Sequence, residues 1–417
     1  MLGTLFSFIL AILFIFSPVS KEILLYAPWI ALTMSGIAIL FFILYILIGA
    51  LTWLPLLKVE QNFAPRILEL FRTDRHLKLT HVWLIFFPIA SFGFSIGLVF
   101  MPMAYKAYYL CAWLVLFGIS MDIFYSFFKR ITFYLNPFKA VELFALKGKE
   151  SIKEEKELDL CHWLDAISEI ALKAIPRSSS SLCNQCIDDM QLLARNFLAS
   201  SKSISHHEQD KQSKALGVGD KVSYTLFYLF QRMDLINEKA LKQKLEPICS
   251  QLVTALGKIV IYAAKFDISL ASYPINFLGK FAEKAQKEGL VEVADKATCT
   301  YLEVAKIILT TLDVTYLELQ EPFISMVKHL SDIARETFRQ DKSTNITLLM
   351  QPLKDLKELF NTEKLQAHED TPVIVNSIDQ ALGEFEALDM VLRTMPPMPV
   401  IPEEPSNPDK LPPKPAV

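Results

Sequence analysis

The sequence lacks the short motifs that mark most enzymes and cofactor sites. Its 417 residues include only 13 glycines and 7 histidines, with no Gly-Lys-Ser/Thr phosphate loop and no His-Glu-x-x-His pair. Gly217 and Gly219 form a Gly-x-Gly, but they lack the preceding strand and the third glycine of a dinucleotide site. We therefore predict a protein that is not an enzyme and has no cofactor.

Basic charge is also in short supply. The chain has 42 lysines and arginines against 45 acidic residues, a net charge of −3. Residues 129–417 hold 35 of the basic and 40 of the acidic residues, so this part is mildly acidic. Since nucleic-acid binding needs a basic footprint, we expect no nucleic-acid partner.

The six cysteines are too scattered for a disulfide framework. Cys183 and Cys186 form a lone Cys-x-x-Cys, which with Cys161 and His162 is open to three interpretations: zinc ligands, a redox pair or packed thiols. Neighbours such as Cys161 and His162 point about 100° apart on a helix. Cys186 also falls on an apolar stripe. We therefore favour packed thiols and predict no metal site.

Charge is nearly absent from the first 128 residues, which hold seven basic and five acidic side chains. About 20 apolar residues cross a bilayer as a helix. The sequence therefore predicts a transmembrane region over 1–128, with lipid as its partner. Its four helices are expected at about 2–19, 27–52, 83–104 and 107–128.

Loop charge predicts the orientation of these helices. The loop after the second helix is the richest in positive charge near the membrane, with Lys58, Arg66, Arg72, Arg75 and Lys78. The opposite side has only Lys21 and Lys106. By the positive-inside rule, both termini are cytoplasmic in a multi-pass protein of the cytoplasmic (inner) membrane. A cleaved signal peptide at 1–20 is the alternative for the first helix.

Two features inside the predicted spans are candidate sites. Asp122 is the only acid there, and an intramembrane carboxylate normally faces the bundle or a water-filled cavity. Ala90, Gly93 and Gly97 form a small-residue face on the third helix. Its first interpretation is packing within the chain, and the runner-up is oligomerisation.

The remaining residues predict an all-α soluble part. Basic residues alternate with aromatic ones over 129–149, which indicates an interfacial amphipathic segment lying on anionic headgroups. Apolar residues then recur with a helical period through a cytoplasmic helical domain at 150–394. Short turns between the helices indicate antiparallel packing. We favour an antiparallel helical bundle over a short solenoid, because no repeat of fixed period is visible.

A local resemblance supports this layout. Ile167 to Pro176 reads Ile-Ser-Glu-Ile-Ala-Leu-Lys-Ala-Ile-Pro, and Cys186 to Met190 reads Cys-Ile-Asp-Asp-Met. These two stretches resemble a bacterial predicted-membrane-protein family of unknown function, whose signature is Ile-Ala-Leu-Arg-Ala-Leu-Ser-Pro, Asn-Asp-Pro and an Ile-Asp helix. Arg177 and the serines at 178–181 replace the Asn-Asp-Pro turn. The resemblance implies a helical cytoplasmic region after a membrane region, and it implies no site residues.

The chain ends in a proline-rich tail at 395–417, which we predict to be disordered. Prolines recur at every third position, the period of a polyproline II helix. The five prolines of this array are candidates for recognition by a cytosolic protein with an aromatic groove: Pro396, Pro399, Pro402, Pro405 and Pro408.

The sequence as a whole favours a membrane-anchored helical module for interaction or scaffolding. The alternative is a transporter or channel subunit that uses Asp122.

Overall fold

The computed structural model describes residues 2–16, 26–62, 66–208 and 218–394, and within these ranges the chain is helical with no strand. The all-α prediction is therefore confirmed. Sixteen α-helices are described: α1 Leu2–Phe16, α2 Ala27–Asn62, α3 Ile67–Thr73, α4 Arg75–Phe100, α5 Met103–Leu135, α6 Pro137–Lys153, α7 Glu157–Ala174, α8 Ser180–Glu208, α9 Val218–Lys242, α10 Glu246–Phe266, α11 Ser272–Lys287, α12 Val291–Thr311, α13 Gln320–Gln340, α14 Ile346–Leu359, α15 Glu363–Gln366 and α16 Thr371–Thr394.

Short polar signals start and end these helices. Asn136 accepts a hydrogen bond from the Phe138 amide at the start of α6, where proline follows at the first helical position. Asn345 caps α14 in the same way, through the Thr347 amide. Gly289 follows α11 with φ of +79°, a conformation that favours glycine. Local chemistry therefore explains where these helices begin and end.

Four helices are long and apolar enough to cross a membrane, namely α2, α4, α5 and α10. They differ in how much of the apolar stretch is buried by the protein itself. The buried share is 12% in α2 and 33% in α4 and α5, but 61% in α10. Helix α10 is therefore a core helix of the soluble part. Helix α1 is apolar but shorter, with its apolar run at Gly3–Ile15.

The N-terminal helices pack as antiparallel pairs. Helix α2 runs beside α4, where the Ser35 and Ser95 hydroxyls lie 2.7 Å apart and Ser95 also donates to the Ala31 carbonyl. Trp113 of α5 donates its indole N–H to Ser91 of α4 at 2.7 Å. Serine and indole groups thus bond across the seams of this four-helix unit, as in helix packing within membranes.

Two of these helices end later in the chain than predicted. Helix α2 passes through Pro55 and continues to Asn62, where the sequence indicated an end near 52. Helix α5 continues to Leu135 rather than ending at 128. Both extensions carry residues such as Leu56 and Ile131 that are buried in the same core as the soluble helices. Packing on the soluble part therefore extends the helices beyond the apolar runs.

Side chains of the soluble part also hold the end of α2. Lys173 donates to the Glu60 carbonyl at 3.1 Å. Arg177 bonds the Asn62 carbonyl, and its second nitrogen donates to Asn62 Oδ1 at 3.1 Å. The last carbonyls of a helix have no partners within it, so these cations satisfy orphan acceptors. They also match the negative end of the helix dipole.

The segment predicted to lie on the membrane surface, 129–149, is divided between two helices. Its second half belongs to α6, which packs against α7 and α8. Ala140, Val141 and Phe144 are fully buried there, and the Phe144 ring stacks on Trp163 of α7 at 5.8 Å. The main apolar face of α6 is therefore covered by protein. Phe138 and Leu146 remain exposed.

Apart from the four-residue α15, each helix from α6 onward packs against the next one and the next but one. One set of such contacts joins α6, α8, α10, α12 and α14, and the other joins α7, α9, α11, α13 and α16. Helices within the second set run parallel. Asn276 of α11 meets His329 of α13, and ten residues further along α11 Gln286 meets Gln340 of α13. The soluble helices therefore form two layers that follow chain order.

The closest approach within these layers is between α11 and α13. The His329 ring lies directly over Gly279, where any larger side chain would collide with it. The ring also stacks parallel to Tyr301 of α12 at 6.5 Å, with Nε2 2.9 Å from Asn276 Oδ1. Burial lowers the pKa of His329. A neutral histidine therefore joins three helices here.

Candidate functional site at Asp122

Asp122 of α5 lies at the N-terminus of α1. Its Oδ1 accepts a hydrogen bond from the Gly3 amide at 3.0 Å. Its Oδ2 accepts from the Thr4 amide at 2.9 Å and from the Thr4 hydroxyl at 2.5 Å. Both carboxylate oxygens are therefore engaged by the first turn of another helix.

The chemistry of this contact is that of a helix cap supplied from a distant part of the chain. The first amides of a helix have no acceptors within it, and they form the positive end of its dipole. A carboxylate is a favourable acceptor at this position. In an apolar environment each unpaired amide costs several kcal/mol, and Asp122 supplies the acceptors that these donors need. The geometry supports a structural role for Asp122.

Small residues allow the two helices to approach this closely. Gly3 and Gly118 face each other, and a side chain at Gly118 would collide with Ser7. One turn further along α1, Cys111 of α5 lies 3.4 Å from the Ala11 carbonyl. Gly3, Ser7 and Ala11, which are spaced four residues apart, therefore lie along the contact between α1 and α5.

The small-residue face predicted on the third membrane helix lies on α4, and its residues differ in whether they are packed. Gly97 lies against the Tyr109 ring of α5, which occupies the space of a side chain. Gly93 is exposed and has nothing within 4 Å, and Ala90 is half-buried. Oligomerisation through Gly93 stays a prediction.

Sequence inspection overlooked that Gly93, Ser95 and Gly97 have the Gly-x-Ser-x-Gly spacing of a nucleophile elbow. Such an elbow needs a strand-to-helix turn that exposes the serine. Here all three residues lie inside α4, and Ser95 is buried with its hydroxyl bonded to Ala31 and Ser35. Ser95 therefore belongs to the contact between α4 and α2 and not to a nucleophile elbow.

Four other polar side chains of the predicted spans form hydrogen bonds within or between α2, α4 and α5. Ser35, Ser91 and Ser95 bond across the α2–α4–α5 seams, and Thr33 donates to the Ile30 carbonyl of its own helix. The recorded bonds of these four side chains therefore include none to Asp122.

The cysteines do not form a site in the described part of the chain. Burial raises the pKa of Cys161 to about 11 and of Cys183 to about 12, and it raises the pKa of Cys186 as well. Their thiols therefore stay protonated and unreactive. Among the described residues, no group of three histidine, cysteine or acidic side chains is placed to hold a metal ion.

A polar cluster at the start of α4 was also not predicted. Asp74 caps α4 through the His76 amide, and its Oδ2 accepts from Arg130 and from the Tyr134 hydroxyl, each at 2.8 Å. Although burial alone raises the pKa of Asp74, the bonds from Tyr134 and Arg130 lower it overall. The cluster joins the first turn of α4 to the extension of α5. The proline array of the tail lies outside the described residues.

Comparisons with known proteins add little to this geometry. No family model matches the chain, and no curated protein matches it. Among solved structures, the chain is similar to a circular tandem repeat protein with novel repeat topology and enhanced subunit contact surfaces. The identity is 15% over 94% of this chain and 99% of that chain, with a TM-score of 0.35. A likeness at this level carries no argument about fold or function.

The cap at Asp122 predicts a specific loss of stability. Asp122→Ala leaves the Gly3 and Thr4 donors without acceptors, at a cost of about 1–3 kcal/mol. We expect a lower midpoint of thermal unfolding for the purified protein in detergent. Met121→Ala is the matched control, since Met121 is an exposed neighbour on the same helix. Equal midpoints for the two variants would refute the capping role.

Proposed function

We propose that this protein is a membrane-anchored helical interaction module of the cytoplasmic membrane, without catalytic activity. The observation that carries the proposal is the uneven distribution of exposed apolar side chains. Many large apolar side chains of α1, α2, α4 and α5 are exposed, including Phe6 (67% exposed), Trp29 (69%) and Ile89 (65%). Soluble proteins rarely expose contiguous apolar surface on this scale, whereas lipid requires it.

Charge at the junction supports the proposed orientation. Asp74 and Arg130 pair at 2.8 Å beside the exposed cations Arg72, Arg75 and Lys78. The soluble helices begin on this same side, because α5 leads directly into α6. The positive-inside rule therefore supports a cytoplasmic location for the whole soluble part.

The layered soluble part supports an interaction role. Helices that contact only near neighbours along the chain build extended surfaces, which solenoid proteins use to bind partners. The chain-order contacts of α6 to α16 favour such a stack over the closed bundle that the sequence favoured. The module therefore offers a broad surface together with the proline-rich tail.

The alternative of a transporter or channel subunit has less support. Transport through Asp122 needs a carboxylate that is free to exchange its partners. Here both oxygens bind the first turn of α1, and the nearby serines bond across other seams. The same contacts support α1 as a retained helix rather than a cleaved leader.

Topology can be tested through Cys299 of α12, which is exposed whereas the other five cysteines are buried. We expect an impermeant maleimide to miss Cys299 in intact cells and to label it in inside-out vesicles. A second reporter, Tyr105→Cys in a Cys299→Ser background, lies in the first turn of α5 next to the junction with α4 and should be labelled in intact cells. The reverse pattern at both positions would overturn the orientation.

The interaction role can be tested by cross-linking in cells followed by mass spectrometry. Replacing the five array prolines by alanine should remove at least one cytosolic partner without changing membrane insertion. The matched control replaces Pro412, Pro413 and Pro415, which lie outside the three-residue register. Recovery of the same partners with both variants would show that the array recruits none of them.

A further inference from the structure

The turns between the soluble helices lie along two opposite edges of the stack. Helices α7, α9, α11 and α13 run parallel, and contacts near their C-termini hold them side by side. Lys239 of α9 donates to the Leu172 carbonyl of α7 at 2.7 Å. Lys284 of α11 bonds Glu238 of α9 at 3.0 Å, and the last residue of α13 bonds the last turn of α11. The turns that follow these four helices are therefore on one side.

We define the near edge as these four turns, each with the adjoining four residues of both helices. Its segments are 171–183, 239–249, 284–294 and 337–349. The far edge is formed by the turns at the opposite ends of the helices. Its described segments, bounded in the same way, are 150–160, 263–275, 308–323 and 356–374.

The near edge is where the apolar N-terminal helices meet the soluble part. Lys173 and Arg177, in the turn after α7, bond the last carbonyls of α2. Helix α6 directly follows α5, and its start lies beside the start of α8, because Gln185 donates to the Phe138 carbonyl at 3.4 Å. Both connections therefore arrive at the same edge of the stack.

Exposed side chains mark where the apolar surface of these helices ends. On α4 the exposed Lys78 precedes the exposed Leu79, and on α5 the exposed Phe128 precedes the exposed Lys129. Leu135 ends α5 about 9 Å beyond Lys129, at a rise of 1.5 Å per residue. This length is close to the Debye length at physiological salt, about 8 Å. Charges at this end of the near edge therefore act on phosphate groups at the level of Lys129.

The two edges carry opposite charge. The near edge has nine basic and four acidic residues, whereas the described segments of the far edge have five basic and thirteen acidic residues. Helix dipoles do not account for this difference, because each set of segments holds as many helix N-termini as C-termini. The side chains therefore give the near edge an excess of positive charge that capping does not require.

Three lysines of the near edge are available to a ligand. Lys242, Lys244 and Lys342 are exposed, and within the described residues none of them takes part in an ion pair. Lys239 and Lys284, by contrast, join neighbouring helices. Clusters of lysine and arginine beside a membrane span recognise anionic lipid headgroups.

We propose that the near edge binds the headgroups of anionic phospholipids in the leaflet beside it. Three helix spacings of 8–10 Å separate α7 from α13, so the edge extends roughly 25–30 Å from the anchor. The acidic far edge then faces away from the lipid and stays open to partners. This inference rests on the proposed membrane anchoring, which can hold without it.

The test measures which lipid collects at each edge. The full-length protein is reconstituted in vesicles of equal parts phosphatidylglycerol and phosphatidylcholine, with an acceptor fluorophore on the acyl chain of one of the two lipids. A donor fluorophore is attached at Thr347→Cys on the near edge or Asn361→Cys on the far edge, both exposed positions. Cys299→Ser removes the exposed native thiol. We expect stronger energy transfer to phosphatidylglycerol than to phosphatidylcholine at position 347, and no such preference at position 361.

Neutral replacements test whether charge causes the preference. The combined variant Lys242→Gln, Lys244→Gln and Lys342→Gln should lower the transfer to phosphatidylglycerol at position 347 to the level of phosphatidylcholine. Raising the salt to 1 M, where the Debye length is about 3 Å, should have the same effect on the parent protein.

The matched control replaces Lys258, Lys306 and Lys328 by glutamine, since these exposed lysines lie within helices and outside both edges. This variant should keep the preference. Equal transfer from the two lipids at position 347 of the parent protein would overturn the proposal, as would a preference that survives the near-edge replacements. Failure of the parent protein to insert into the vesicles would overturn the anchoring as well.

Discussion

The structure depends on the contact between the end of α2 and the first soluble helices. Leu56 and Ile67 are buried in one core with Ile167 and Ile170 of α7. Lys173 and Arg177 bond the last carbonyls of α2. Apolar burial and capping act at the same place. The four apolar N-terminal helices and the helices from α6 onward are therefore joined by a packed interface as well as by the chain.

The same physical rule operates at the start of α1 and at the end of α2, which lie on the same side of the N-terminal helices. A helix end has backbone groups without partners, and these are costly where water is scarce. Asp122 satisfies the amides at the start of α1, whereas Lys173 and Arg177 satisfy the carbonyls at the end of α2. In each case the partner comes from another helix. Capping from another helix thus fixes the relative positions of the two helices. It also removes the cost of leaving the terminal backbone groups without hydrogen-bond partners.

Sequence reasoning predicted the features that follow from local pattern. Uncharged runs identified the four N-terminal helices, and the helical period of apolar residues identified the soluble ones. The ends of α2 and α5 were missed because contacts such as that of Leu56 extend them. The partner of Asp122 was missed because it depends on α1 lying antiparallel to α5.

The central claim is that the four apolar N-terminal helices and the helices from α6 onward form one rigid unit. Spin-label distances test this claim. Labels at Arg72→Cys in α3 and Leu158→Cys in α7, with Cys299→Ser, use exposed positions on either side of the interface. We predict a single distance distribution as narrow as that of a reference pair at Leu158 and Leu348 within the soluble part. The distribution should be the same in micelles and in bilayers. A broad or multiple distribution, with a narrow reference, would contradict the account.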